Sequence, residues 1–93
     1  MRITEFIPNG KADAVSMKDL AAILGISKRG VRALVLAARE HGASICSTSE
    51  SDKGGYYMPR DREEAVAYLK QQKARIKSAY AALNGIRKFL KEV

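Results

Sequence analysis

The segment from Ser16 to Met58 constrains the fold most, because it holds two stretches that each carry their own start and stop signals. Ser16 stands three residues before Asp19, the spacing of a capping box. The serine hydroxyl can accept from the Asp19 amide, and the carboxylate can reach back to the amide of Ser16. Leu20, Ile23 and Leu24 then recur at helical spacing, and Gly25 supplies a stop. Ser27 offers a second N-cap, for a helix running to about His41 and closed by Gly42. Two capped amphipathic helices joined by a turn of three or four residues have the layout of a helix-turn-helix.

On the second helix Val31, Leu34, Val35 and Ala38 fall at i, i+3, i+4 and i+7, so this stripe is expected in the core. The opposite face carries Lys28, Arg29, Arg32 and Arg39, with Glu40 its one acidic residue. In a helix-turn-helix the start of the second helix points into the major groove, where Arg and Lys donate to guanine O6 and N7. The Ser27 hydroxyl and the free first-turn amides suit a backbone phosphate. The competing reading is a solvated basic face with no ligand. Gly30 is out of place, because glycine costs a helix interior about 1 kcal/mol relative to alanine. Close approach of a phosphate or of the first helix would explain it.

Ala43 to Thr48 has the residue types of a short strand, Ser49 to Gly55 reads as a loop, and Tyr56 to Met58 as the return strand stopped by Pro59. Alternation puts Tyr56 and Met58 inward with Ile45. Tyr57 is then expected outward, on sugar-phosphate or on a neighbouring helix. Lys53 sits at the loop tip beside Glu50 and Asp52, a mixed electrostatic probe for a minor groove.

This arrangement resembles the winged helix-turn-helix domain at the N-terminus of biotin operon repressors. The residues that carry the likeness are Asp19-Leu20-Ala21, Leu24-Gly25-Ile26-Ser27, Arg29, Val31-Arg32, Ala38-Arg39, Gly42, Ile45, Ser47 and Gly55-Tyr56-Tyr57. The opening Phe6-Ile7-Pro8-Asn9-Gly10-Lys11, with Ala14-Val15-Ser16, is similar to small winged-helix proteins of phages and prophages. The likeness covers roughly Ile3 to Pro59, and its joint spacing is more specific than any one motif. It implies a DNA-binding function, with base-reading positions at Lys28, Arg29, Arg32 and Ala33 and a wing contact near Lys53. Lys18, on the first turn of the first helix, joins the candidate DNA contacts. The chain departs from the family at Ala37 and Ala38, where bulkier core residues are common. No ligase or effector domain follows the wing, so neither biotin nor any other cofactor is implied.

A chain of 93 residues supports one small domain, which buries roughly 60% of its unfolded surface. The net charge of +7, from 17 basic and 10 acidic residues, favours polyanionic partners, chiefly nucleic acid. Residues 1–60 hold nine basic and six acidic groups, residues 61–93 eight and four. A single cysteine, Cys46, forms no internal disulfide, which fits the cytoplasm of a bacterium or a phage-infected host. Neither a signal peptide nor a membrane span is expected. His41 is the lone histidine and is expected to bond the last carbonyls of its helix. No Walker A loop or facing carboxylate pair is present, so no enzyme is expected.

At the N-terminus Ile3, Phe6 and Ile7 share a face, so Arg2–Ile7 reads as a short helix before the turn at Pro8-Asn9-Gly10. Lys11, in that turn, is placed to touch a phosphate. Past Asp61 the pattern changes. Leu69, Ile76, Leu83 and Leu90 repeat at sevens, with Val66, Tyr80 and Ile86 beside them. A continuous helix over 61–92 would run about 48 Å, longer than a small core can cover. A homodimer through Leu69, Ile76, Tyr80, Leu83 and Leu90 is the economical use of such a stripe. Asn84-Gly85 offers the other outcome, ending the helix and turning the last residues back. Between Leu69 and Lys91 there are seven basic residues and no acidic one. They are read as a solvated face, a phosphate track, or a surface for acidic protein or lipid.

The expected fold is therefore mainly α with a small β-hairpin: a winged helix-turn-helix over 1–60 and a long basic helix over 61–93. The expected function is sequence-specific binding of double-stranded DNA as a phage or prophage transcriptional regulator. The alternatives are a replication or packaging assembly factor akin to a terminase small subunit, and a winged helix used for binding protein.

Overall fold

The computed structural model describes residues 2–49 and 54–92. Local cap chemistry sets the first two helices. Ser16 Oγ accepts from the Asp19 amide at 3.0 Å and opens α1, Met17–Leu24. Gly25 ends it in the left-handed region at φ 67°, and the Ile26 amide donates to the Ala21 carbonyl at 3.1 Å. Any side chain at Gly25 would cost about 1–2 kcal/mol in that conformation. Ser27 Oγ accepts from the Gly30 amide at 3.0 Å and opens α2, Lys28–Glu40. At its far end His41 Nδ1 lies 2.8 Å from the Ala37 carbonyl oxygen, as the sequence leads one to expect.

Leu20 of α1 and Val31 and Val35 of α2 are fully enclosed, and around them close Ile3, Ile7, Ile45 and Tyr56. Each such aliphatic burial stabilises by about 1.5–3 kcal/mol. The short helix expected at the N-terminus is of 3-10 type and spans Ile3–Phe6. Two expected core residues are not enclosed. Leu34 is 44% exposed, because it borders an open groove with Leu24, Ala37 and Met58. Ile23 of α1 likewise faces out.

The hairpin consists of β1, Cys46–Thr48, and β2, Gly55–Tyr57, antiparallel with Cys46 opposite Tyr57 and Thr48 opposite Gly55. The first strand starts later than Ala43, because Ala43 spends its amide closing α2 on the Ala38 carbonyl at 2.9 Å. On the far side of β2, Val15 exchanges two backbone bonds with Tyr56, at 2.9 and 2.8 Å, and Asn9 bridges to Met58. The segment before α1 thus extends the hairpin, a long-range pairing that the sequence does not announce.

Both tyrosines are buried, and Met58 is half-buried. The alternation holds: Tyr57 turns to the face opposite Tyr56 and rests on a neighbouring helix, one of its two expected places. Tyr56 enters the core, while the Tyr57 ring meets Tyr68 edge-on, with centroids 6.4 Å apart and planes at 82°. A third layer therefore covers the hairpin's second face.

That layer is the C-terminal region. Asp61 Oδ1 accepts from the Glu64 amide at 2.9 Å and caps α3, Arg62–Ala81. Glu64 Oε1 accepts from the Lys11 amide at 3.0 Å and the Arg60 amide at 3.2 Å, tying the N-terminal turn to the start of α3. The helix is neither continuous to 92 nor stopped at Asn84. It breaks at Ala82-Leu83, and Asn84 opens α4, Asn84–Glu92. Nor is the apolar stripe covered by a fold back of α4, since Leu69, Ile76, Tyr80, Leu83 and Leu90 are 48–67% exposed. Arg87 lies over the Tyr80 ring, 3.9 Å from its centroid.

The fold is mainly α with a small antiparallel hairpin and a long C-terminal helical region, a combination compatible with a winged helix. Among the described residues no helix is long and apolar enough to cross a membrane.

Candidate nucleic-acid interface

Lys28, Arg29, Arg32 and Ala33 of α2 are exposed to solvent. The helical period brings these four onto the first two turns, next to the capped N-terminus. None of the three cationic side chains takes part in a hydrogen bond or ion pair among the described residues. Unpaired guanidinium groups on a rigid helix start are free to donate to base edges or phosphate oxygens. The positive end of the helix dipole adds attraction for an anion at the same place.

Ser27 is exposed, but its oxygen already serves as the cap of Gly30, so toward a phosphate it has its hydroxyl hydrogen to offer. Gly30 is not forced by the first helix. A Cβ there would meet Ile26 Cδ1 at 3.3 Å and Ser27 Oγ at 3.4 Å, both in the preceding turn. Lys18 is exposed on a different helix, α1, and stands apart from the α2 group in sequence and element. Lys53, the expected wing contact, lies outside the described residues, as do Glu50 and Asp52. Lys11, read as a phosphate contact, is half-buried, with its amide committed to Glu64.

Arg39 leaves the basic face. Its Nε donates to the Ile45 carbonyl at 3.0 Å and its Nη2 to the Tyr68 hydroxyl at 3.4 Å, where Ser47 Oγ also lies 3.4 Å away. The arginine is a bracket between α2, the hairpin and α3. Its partner Tyr68 is 29 residues distant, so no local pattern could have revealed the bond.

Beside this bracket, burial pushes the Cys46 thiol up from its usual value, and burial, with the neighbouring Cys46 and Glu64 charges, pushes the Tyr57 phenol up to about 12. The unfolded chain releases the phenolic proton near pH ~10, so the folded state holds it over a higher range. Ionisation at alkaline pH then favours unfolding. The contribution of Tyr57 is complete below pH ~10 and is lost as pH climbs from there to about 12. Urea midpoints at pH 8, 10 and 11 should fall more steeply for the wild type than for Tyr57→Phe. Equal slopes would contradict this account.

The expected oligomerisation residues Leu69, Ile76, Tyr80, Leu83 and Leu90 stand on α3, the break and α4, away from the α2 cations. Among the described residues no group of three or more His, Cys, Asp or Glu side chains is placed to hold a metal ion. No family model, curated protein or solved structure matches the chain.

Proposed function

We propose that the protein binds double-stranded DNA in a sequence-specific way and acts as a transcriptional regulator of phage or prophage type. The observation that carries this reading is the cluster of Lys28, Arg29 and Arg32, exposed and unbonded at the capped start of α2. The helix-turn-helix reading lays that start in the major groove, with Ala33 against a thymine methyl or sugar. The net charge of +7 supplies the nonspecific attraction that precedes base readout. In this role two copies joined by their C-terminal helices present two recognition helices to a two-fold site.

The test is selection of bound duplexes from a random pool by purified protein, repeated at two salt concentrations. A consensus with two-fold symmetry supports the reading. No enrichment, together with unaltered mobility of random duplex at low salt and micromolar protein, overturns it and leaves a protein-binding winged helix. A second reading, an assembly factor in replication or packaging, draws on the length of exposed apolar surface along α3 and α4. A stable ring of many subunits by light scattering would favour it over the regulator.

A further inference from the structure

We infer that the C-terminal helices of two copies pair antiparallel, with Ile76 and Tyr80 at the centre of the seam. The inference rests on the two-copy reading above and adds the orientation.

The first support is that α3 spends a different face on its own fold. Glu64, Ala65, Tyr68 and Gln72 are its half-buried residues and turn toward the hairpin side. Val66, Leu69, Ile76 and Tyr80 lie roughly 100° further round the helix and stay in solvent. The strip carries on through Leu83 to Leu90, whose side chains are likewise exposed.

The second support is charge. The basic residues fall in two blocks: Lys70, Lys73, Arg75 and Lys77, then Arg87, Lys88 and Lys91. Between them Ser78–Ile86 holds no charged residue, and before them Ala65–Leu69 holds none. A parallel pair would set each basic block against itself. Like charges at flanking positions disfavour that orientation. In the antiparallel register that places Ile76 opposite Tyr80, residues 70–77 face 79–86 of the second copy, and 87–91 face 65–69. Every basic block then meets an uncharged block. The same register brings Val66 opposite Leu90, so apolar contacts close both ends as well as the middle. Ala82 keeps a right-handed helical backbone, so the break does not reverse the chain within the seam.

The test joins sedimentation with distance measurement between spin labels. Glu63→Cys, Ala79→Cys and Lys91→Cys are made singly in a Cys46→Ala background and labelled. Antiparallel pairing gives a short distance at position 79 and roughly 40 Å at both 63 and 91. Three short distances would overturn the orientation while leaving the two-copy reading intact. A monomer at 100 µM (a concentration of about that order suffices for a weak dimer) would overturn both. Ile76→Lys should weaken association by about 100-fold or more, since each dimer loses two buried isoleucines. Ile76 is 67% exposed in a single copy, so at dilutions where the wild type is monomeric the two proteins should share the same circular dichroism and urea midpoint. An Ile76→Lys protein that still dimerises as the wild type does would remove the seam. These measurements contain no DNA, so their outcome is independent of whether the protein binds a duplex.

Discussion

Gly55→Ala is expected to cost about 2–4 kcal/mol and to lower Tm by more than ~10 °C. A Cβ on Gly55 would be driven into the Val15 carbonyl oxygen and would stand 2.9 Å from Ser16 Cα. Both neighbours are backbone, so no rotamer change relieves the clash. The hairpin and the Val15 segment must separate, and the paired bonds between Val15 and Tyr56 weaken with them. Tyr56 belongs to the main core cluster, so the loss spreads beyond the hairpin. For a domain whose total stability is about 5–10 kcal/mol, this removes a large part. Gly85→Ala is the matched control. A Cβ there meets nothing within 4 Å, and an alanine in α4 should be neutral or slightly stabilising. Urea melts of the two variants decide the point: similar midpoints would mean that Gly55 does not lie against Val15.

Replacing Arg29 and Arg32 together by alanine is expected to weaken binding to a selected duplex by about 2–5 kcal/mol, or roughly 30- to several-thousand-fold. Each arginine alone should cost about 1–3 kcal/mol and relax preference at one base position. The residues are neighbours on one helix face, so the double variant need not equal the sum. Neither side chain bonds to the protein, hence the urea midpoint should stay within ~0.5 kcal/mol of wild type. Fluorescence anisotropy with the selected duplex measures the effect. Undiminished affinity in the double variant would remove α2 from the interface. Arg39→Ala should behave in the opposite way, destabilising the fold through the lost bonds to Ile45 and Tyr68.

What could be read from the sequence was the local chemistry. Caps at Ser16 and Ser27, the stop at Gly25 and the bond from His41 each involve residues within four positions of one another. The enclosed Val31 and Val35, and the exposed Lys28, Arg29 and Arg32, followed from the helical period. The period failed at Leu34, because a stripe's edge is buried only if some element happens to cover it. At Tyr57 alternation gave the face but not the partner: α3 arrives from far along the chain to cover it. Arg39 shows the same limit in the candidate site. Its charge placed it with the other cations, and only a distant tyrosine and a strand carbonyl took it away.

The attachment of α3 to its own N-terminal turn through Glu64 and to its hairpin through Tyr68 separates two events that many small assemblies merge. A lone copy is already a finished fold, so acquiring that fold is first order in protein. In the proposed pair, joining a second copy would be second order and would draw on a strip of surface the first event never used. Under the proposed function gene dosage would then become a control variable: scarce protein would meet DNA with one reading head and abundant protein with two. Dilution should fray α4 while the melting of the hairpin stays where it was.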